Sequence, residues 1–282
     1  MNANWQPPML AINTWLIAAS EQLREVDIAS SRLDAEIILA HTLRKGRTYL
    51  HAHGDELLDA RHQEVAGARL ALRLDRVPLA YIIGHKEFYG RRFKVTTATL
   101  IPRPESEDII TVVKKLIPPT IAHSTPTKLI DVGTGSGCLG ITLKLELPEL
   151  DVTLTDISQQ ALNVARSNAK ALQVDVKFLR SNLLQDFPLK VDLIVANLPY
   201  VDPDWDRSRE TDYEPPEALF AAEGGMALML QLINQAPSRL QPGGYLILEA
   251  DPVQHPQLTA HAKSLKLDLV ITNHYCLAFK QS

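Results

Sequence analysis

The sequence predicts an α/β protein in which a doubly wound parallel sheet, covered by helices on both faces, follows an all-helical bundle and a β-hairpin linker. Three observations carry this. From Lys128 onward, short apolar runs alternate with helical stretches; the first quarter repeats apolar residues at helical spacing; and two β-prone runs split by turn residues lie between. A length of 282 residues leaves room for two domains, and 45% apolar with 22% charged residues suits a packed core rather than disorder.

In the first quarter, about Pro8 to Pro78, Leu10, Trp15, Leu16 and Leu23 recur at roughly helical spacing, and Leu33, Ile37, Ile38 and Leu39 renew the stripe. Ser30 and Ser31 before Arg32-Leu33-Asp34-Ala35-Glu36 mark a helix start with carboxylates in its first turn, and Gly46 and Gly54 punctuate helices. Tyr81-Ile82-Ile83-Gly84 and Phe88 to Val95 read as the hairpin. In Leu100-Ile101-Pro102-Arg103-Pro104-Glu105 two prolines hold the chain extended, and a helix from about Ser106 to Leu116 precedes a loop through Pro118, Pro119 and Pro126. Leu129 to Val132, Val152 to Asp156, Val176 to Leu179, Leu193 to Ala196 and Tyr245 to Glu249 are continuous apolar strands of a sheet buried on both faces. The expected division is 1–80 helical, 81–104 hairpin linker and 105–282 α/β.

Composition excludes several classes. Cys138 and Cys276 are far apart without Cys-x-x-Cys spacing, so no disulfide framework or thiolate metal site is expected, and both read as small buried hydrophobes. His51, His53 and His62 cluster without a metal-ligand pattern and are expected to be solvated or capping residues. No apolar run is long enough to span a membrane and Met1 to Leu10 lacks an export pattern, so a cytoplasmic protein is expected. A net charge of −4 argues against wholesale phosphate-backbone binding. Between Arg61 and Lys94, however, eight basic residues face three acidic ones, which fits either a solvated face or a docking surface.

Asp131-Val132-Gly133-Thr134-Gly135-Ser136-Gly137 follows the first strand and opens a helix, where glycines let backbone approach a ligand at a helix N-terminus. Asp156 ends the second strand, where a carboxylate can accept both ribose hydroxyls of a nucleoside. A dinucleotide oxidoreductase and an S-adenosylmethionine enzyme both fit this loop. Asn197-Leu198-Pro199-Tyr200, just past the fourth strand, favours the second. An amide or exocyclic amine is a poor nucleophile whose lone pair must be aimed, and the Asn197 side-chain oxygen and Leu198 carbonyl can accept its two N–H bonds. Pro199 keeps Leu198 extended, and Tyr200 offers a flat face to a planar group.

With those residues in place, the sequence resembles the HemK/PrmC family of protein glutamine methyltransferases. The likeness runs through Ser31 to Glu36, Pro78 to Gly84, Glu87 to Gly90, Leu100 to Glu105, the Asp131 to Gly137 loop and Tyr213-Glu214-Pro215. It implies a Rossmann-like class I S-adenosylmethionine-dependent methyltransferase domain and a helical domain that docks peptide-chain release factors, whose Gly-Gly-Gln glutamine is methylated. It further implies that Asp131, Gly133, Thr134, Gly135, Ser136, Gly137, Asp156, Asn182, Leu183 and Asn197 bind the cofactor, and that Asn197, Leu198, Pro199 and Tyr200 hold the amide. Leu198 replaces the first proline of the family's Asn-Pro-Pro-Tyr motif, Asn182 stands where an acidic residue is usual, and Leu248 to Asp251 replaces a pattern ending in glycine.

Asn-Leu-Pro-Tyr also occurs in ribosomal RNA adenine dimethyltransferases, so an RNA amino group, a ribosomal-protein glutamine and a silent cofactor-binding module stay open as alternatives. The acidic balance and an extra domain that precedes the catalytic one favour protein over RNA. A monomer without stable nucleic-acid binding or bound metal is expected.

Overall fold

A computed structural model describes residues 9–117 and 126–282, and divides them into two compact units. Pro8, Pro118 and Pro119, and with them the start of the helical stretch and part of the proline loop, lie outside the described residues.

The first unit comprises the residues up to Gly84 together with 209–213. Its helices are α1 (Ile12–Glu25), α2 (Ser31–Leu43), α3 (Arg47–Ala52), α4 (Ala60–Leu74) and α5 (Leu79–Ile83). Of the expected stripe, Leu10 and Ile37 are half-buried and Leu33 is 42% exposed, whereas Trp15, Leu16, Leu23, Ile38 and Leu39, together with Leu50, fill the centre. Burying each such side chain contributes roughly 1.5–3 kcal/mol. Ser30 makes no side-chain cap, and Asp34 turns inward instead of lying at a solvated helix start. The Asp34 Oδ2 accepts from Arg73 Nε at 2.7 Å, and the other end of that guanidinium reaches Glu210 Oε1 at 3.0 Å. Glu36 accepts from Arg32 at 2.8 Å and from Arg47 at 2.7 Å. One expectation changes here: Tyr81 to Ile83, β-prone by composition, are helical in α5. Pro78 is its N-cap and Gly84, at φ +76°, ends it in the left-handed conformation, so local caps override strand propensity.

The second unit, from His85 to Ser208 and from Glu214 onward, begins with the hairpin, whose strands are β1 (His85–Phe88) and β2 (Arg91–Lys94). Phe88 and Phe93 meet edge to face at 6.1 Å in the core. A 3-10 turn at Pro104–Ser106 leads into α6 (Glu107–Leu116). Then follow β3 (Lys128–Val132), α7 (Cys138–Glu146), β4 (Asp151–Asp156), α8 (Gln159–Ala171), β5 (Lys177–Arg180), β6 (Val191–Ala196), α9 (Ala227–Arg239), β7 (Leu240–Glu249), α10 (His255–Ser264), β8 (Leu267–Asn273) and β9 (Cys276–Gln281).

The sheet order is β5-β4-β3-β6-β7-β9-β8. Its first five strands pair in parallel, while β9 is antiparallel to both neighbours, so the doubly wound sheet is mixed at its far edge. Leu129, Leu193 and Val195 point into a core with α6, α7 and α8; Ile130, Val132, Ile194 and Ala196 point into one with α9 and α10. The apolar runs therefore serve both faces at once. Strand order reverses between β3 and β6, and at such a switch point the loops leaving the carboxyl ends open a crevice.

Candidate active site

Asp131 pairs with Val195 and Val132 with Ala196, so the glycine loop and the Asn197 segment leave adjacent strand ends side by side. Gly133, Gly135 and Gly137 all have positive φ, which L side chains adopt poorly. At Gly133 a Cβ would sit 2.7 Å from Leu198 Cδ2, and at Gly137 one would sit 2.7 Å from Ile141 Cδ1. At Gly135, by contrast, a Cβ would meet nothing within 4 Å, because this residue faces open space. Leu198, buried, thus packs on the glycine loop.

The loop is held from below. Asp131 Oδ2 accepts from Thr134 Oγ1 at 2.5 Å and from the Gly140 amide at 3.0 Å, while Oδ1 is buried with no hydrogen-bond partner. Burial pushes this carboxyl up to about 6 against the hydrogen bonds that favour its charged form. From α8, Asn168 Nδ2 donates to the Ser136 carbonyl at 2.8 Å. Asp156 accepts from the Gly135 amide at 2.9 Å and from the Ser158 amide at 2.8 Å; burial raises its pKa, and Glu217 adds to the rise.

A cavity of about 290 Å³ opens over these residues. Of the residues expected from the sequence, Gly133, Thr134, Gly135, Ser136, Asp156, Asn182, Leu183, Asn197, Leu198 and Pro199 line it. Asp131 and Gly137 lie beneath the loop as supports. Tyr200 is not among the lining residues either; its hydroxyl donates to Glu249 Oε1 at 3.1 Å. Among the charged lining side chains, Asp156 and Glu217 are acidic, and Arg103 is held by an ion pair with the buried Glu214. Glu214 also accepts from the Ile101 amide at 2.9 Å, so Tyr213-Glu214-Pro215 and the proline-stiffened segment are tied by one carboxylate.

The site fits the donor that the sequence led us to expect. An open glycine admits a ligand close to backbone, Asp156 stands at the strand end where ribose hydroxyls are bound, and acidic side chains suit a cationic group. Ser106, Glu217 and Glu249 were not anticipated. Ser106 adjoins the Pro102 to Glu105 segment and takes a 2.8 Å hydrogen bond from Asn197 Nδ2, while Glu249 ends β7.

Elsewhere, half of the basic stretch is engaged within its own unit: Arg73 and Arg76 with Glu210, Arg91 with Glu146, and Arg69 with the Thr42 hydroxyl. His62 lies 2.8 Å from the Asp59 carboxylate, and among the described residues no cluster of metal-ligating side chains is found. Cys276 is buried and Cys138 half-buried. Among the described residues no helix is long and apolar enough to cross a membrane.

Known proteins show the same two parts. Residues 14–84 match the family model of the PrmC N-terminal domain, and residues 106–211 match the methyltransferase small domain. A release factor glutamine methyltransferase of Koribacter versatilis is 39% identical over 246 residues, covering 84% of this chain and 86% of that protein. One from Deinococcus radiodurans is 34% identical over 252 residues, covering 88% and 89%. In fold, the chain is similar to the crystal structure of a methyltransferase from Pyrococcus furiosus, with a TM-score of 0.53 at 18% identity over 77% of this chain and 99% of that one.

Proposed function

This chain belongs to the release factor glutamine methyltransferase family, and from that premise we propose that it methylates the side-chain amide nitrogen of the Gly-Gly-Gln glutamine in peptide-chain release factors, using S-adenosylmethionine. The observation that carries the reading is a single cavity lined by Gly135 and Asp156 on one side and by Asn197 and Leu198 on the other.

When bound, S-adenosylmethionine supplies a methyl group on a sulfonium. Asp156 holds the ribose, Gly135 admits the donor against backbone, and Leu183, with Asn182 beside it, packs on the base. The Asn197 side-chain oxygen and the Leu198 carbonyl accept the two N–H bonds of the amide, aim its lone pair and stabilise the positive charge that develops on nitrogen. Holding the two reactants in line contributes roughly 7–11 kcal/mol, so the site needs geometry more than a strong base. Pro199 fixes the direction of the Leu198 carbonyl, and Tyr200 backs the segment from outside the cavity. The net charge of −4 supports a protein rather than a nucleic-acid substrate, with Arg92 and Lys94 of the hairpin, both exposed, left to meet it. A monomer acting in the cytoplasm completes the proposal.

The test supplies labelled S-adenosylmethionine with a release factor, the same factor with its Gly-Gly-Gln glutamine changed to alanine, and ribosomal RNA. Label is expected on that glutamine alone, and Asn197→Ala should slow transfer by about 10²–10³. Label on RNA, or an Asn197→Ala rate within threefold of the parent, overturns the reading.

A further inference from the structure

We propose that Glu249 is a positioning residue which, through the hydroxyl of Ser106, sets which end of the Asn197 side chain faces the cavity; this rests on the methyltransferase reading and deepens it. A side-chain amide has two ends of nearly equal shape, one a donor and one an acceptor, and only neighbours decide how it turns. Catalysis requires the oxygen end toward the substrate N–H groups. The reversed amide would offer N–H to N–H and repel the acceptor.

In the structure, Asn197 Nδ2 donates to Ser106 Oγ at 2.8 Å, which leaves Oδ1 for the cavity. A serine hydroxyl also carries one proton, and that proton could equally point at the Asn197 oxygen and reverse the amide. Ser106 keeps its lone pair toward Asn197 only if its proton has another acceptor. Glu249 supplies one. It is 1% exposed, its Oε1 is taken by the Tyr200 hydroxyl at 3.1 Å, and its Oε2 has no partner with hydrogen-bond geometry. Ser106 and Asn197 are the neighbours whose hydrogen-bonding groups favour its charged form. Tyr200 also donates to it, and Glu105 opposes its charge; Cys138 and Cys276 feel its charge as well. One buried carboxyl is therefore bonded to the Asn197 segment at residue 200, and its other oxygen, buried without a partner, is the acceptor the proposal assigns to the Ser106 hydroxyl that meets residue 197.

The position also explains why an acidic group is tolerated at the end of a buried strand. Burial pushes Glu249 up to about 7, so it titrates near neutrality and can take the Ser106 proton when ionised. Glutamine at this position keeps the shape, and with its oxygen held by the Tyr200 hydroxyl it presents its NH2, a donor, to Ser106. The hydroxyl then turns its proton to Asn197, and the amide reverses.

The experiment measures single-turnover methylation of a release factor by Glu249→Gln, Ser106→Ala and the double variant, with S-adenosylmethionine affinity taken by calorimetry. Glu249→Gln should lower the transfer rate at least thirtyfold while the cofactor dissociation constant stays within threefold. The rate-limiting ionisation on the acid limb near pH 7 should vanish with it. Losses from Ser106→Ala and Glu249→Gln should not multiply, because both break one chain of hydrogen bonds. A parent-like Glu249→Gln rate, an unmoved pH profile or fully multiplicative losses overturns the proposal. A second measurement needs neither activity nor a variant: the Asn197 side-chain NH2 resonance of the unmodified protein should show contacts to the Ser106 β-protons and shift with a midpoint near pH 7. Its absence from Ser106 refutes the positioning role, whereas failure of the parent protein to methylate any glutamine refutes the functional reading alone.

Discussion

Asp34 and Glu36, buried in the helical unit, each face a guanidinium, whereas Asp131 and Glu249, buried around the cavity of the other unit, are held by hydroxyls and a backbone N–H. The same side-chain type is treated in two ways. Arg32 and Arg47 keep Glu36 below the usual carboxylate range even though burial pushes the other way. Burial wins at Asp131 and Glu249, which rise to about 6 and about 7. A charge neutralised by arginine holds helices in register and is fixed in its protonation; one left to hydrogen bonds remains able to respond to a ligand or a proton.

The largest effect that sharpens this comparison is expected from Arg73→Ala. Arg73 bridges Asp34 on α2 and Glu210, and its removal strands a carboxylate that is 4% exposed. Breaking a buried pair by deleting one partner typically destabilises by about 3–5 kcal/mol. Urea unfolding should show a loss of that size, and a loss below about 1 kcal/mol would mean that the pair is solvated and the contrast false. Next comes Asp156→Ala, at the boundary between the two treatments, since both its oxygens rest on backbone amides. It should weaken S-adenosylmethionine binding at least tenfold by calorimetry, about 1.4 kcal/mol or more, with little loss of fold stability. Unchanged affinity would remove Asp156 from the cofactor site.

How much of this was legible depended on whether the cause was local. The central parallel strands were readable because burial on both faces demands continuous apolar runs, as Leu193 to Ala196 show. The glycine loop and Asn197 to Tyr200 were readable because each is a short contiguous pattern whose residues share one turn. Strands β8 and β9 were not read: Asp268, Leu269 and Val270 are exposed on an edge strand, so neither alternation nor a closed apolar run marks it. Tyr81 to Ile83 misled because propensity is overridden by a proline and a glycine at the helix ends. Ser106 and Glu249 left no signal, since their meaning lies in meeting Asn197 across three separate segments. Glu214 was visible only as part of a motif, and its role as the clamp on Arg103 and Ile101 needed coordinates.

The smallest expected effect tests the two treatments by sign. For a carboxyl whose folded pKa is raised, the folded protein binds the proton more tightly than the unfolded chain, so its contribution is fully present below the unfolded value and lost as pH rises to the folded one. Glu249 should therefore make the cofactor-free protein less stable between about pH 4.5 and about 7, and Asp131 between about 3.8 and about 6. Glu36, lowered by its arginines, acts with the opposite sign: its contribution is present above 4.5 and lost as pH falls through its depressed pKa. The slope from one group cannot exceed one proton, about 1.4 kcal/mol per pH unit. Urea unfolding at several pH values should show Glu249→Gln flattening the decline between pH 5 and 7, and Glu36→Gln steepening it only at the acid end. If Glu249→Gln left the curve parallel to that of the parent, the carboxyl would already be ionised in the folded protein and the unpaired class would lose its clearest member.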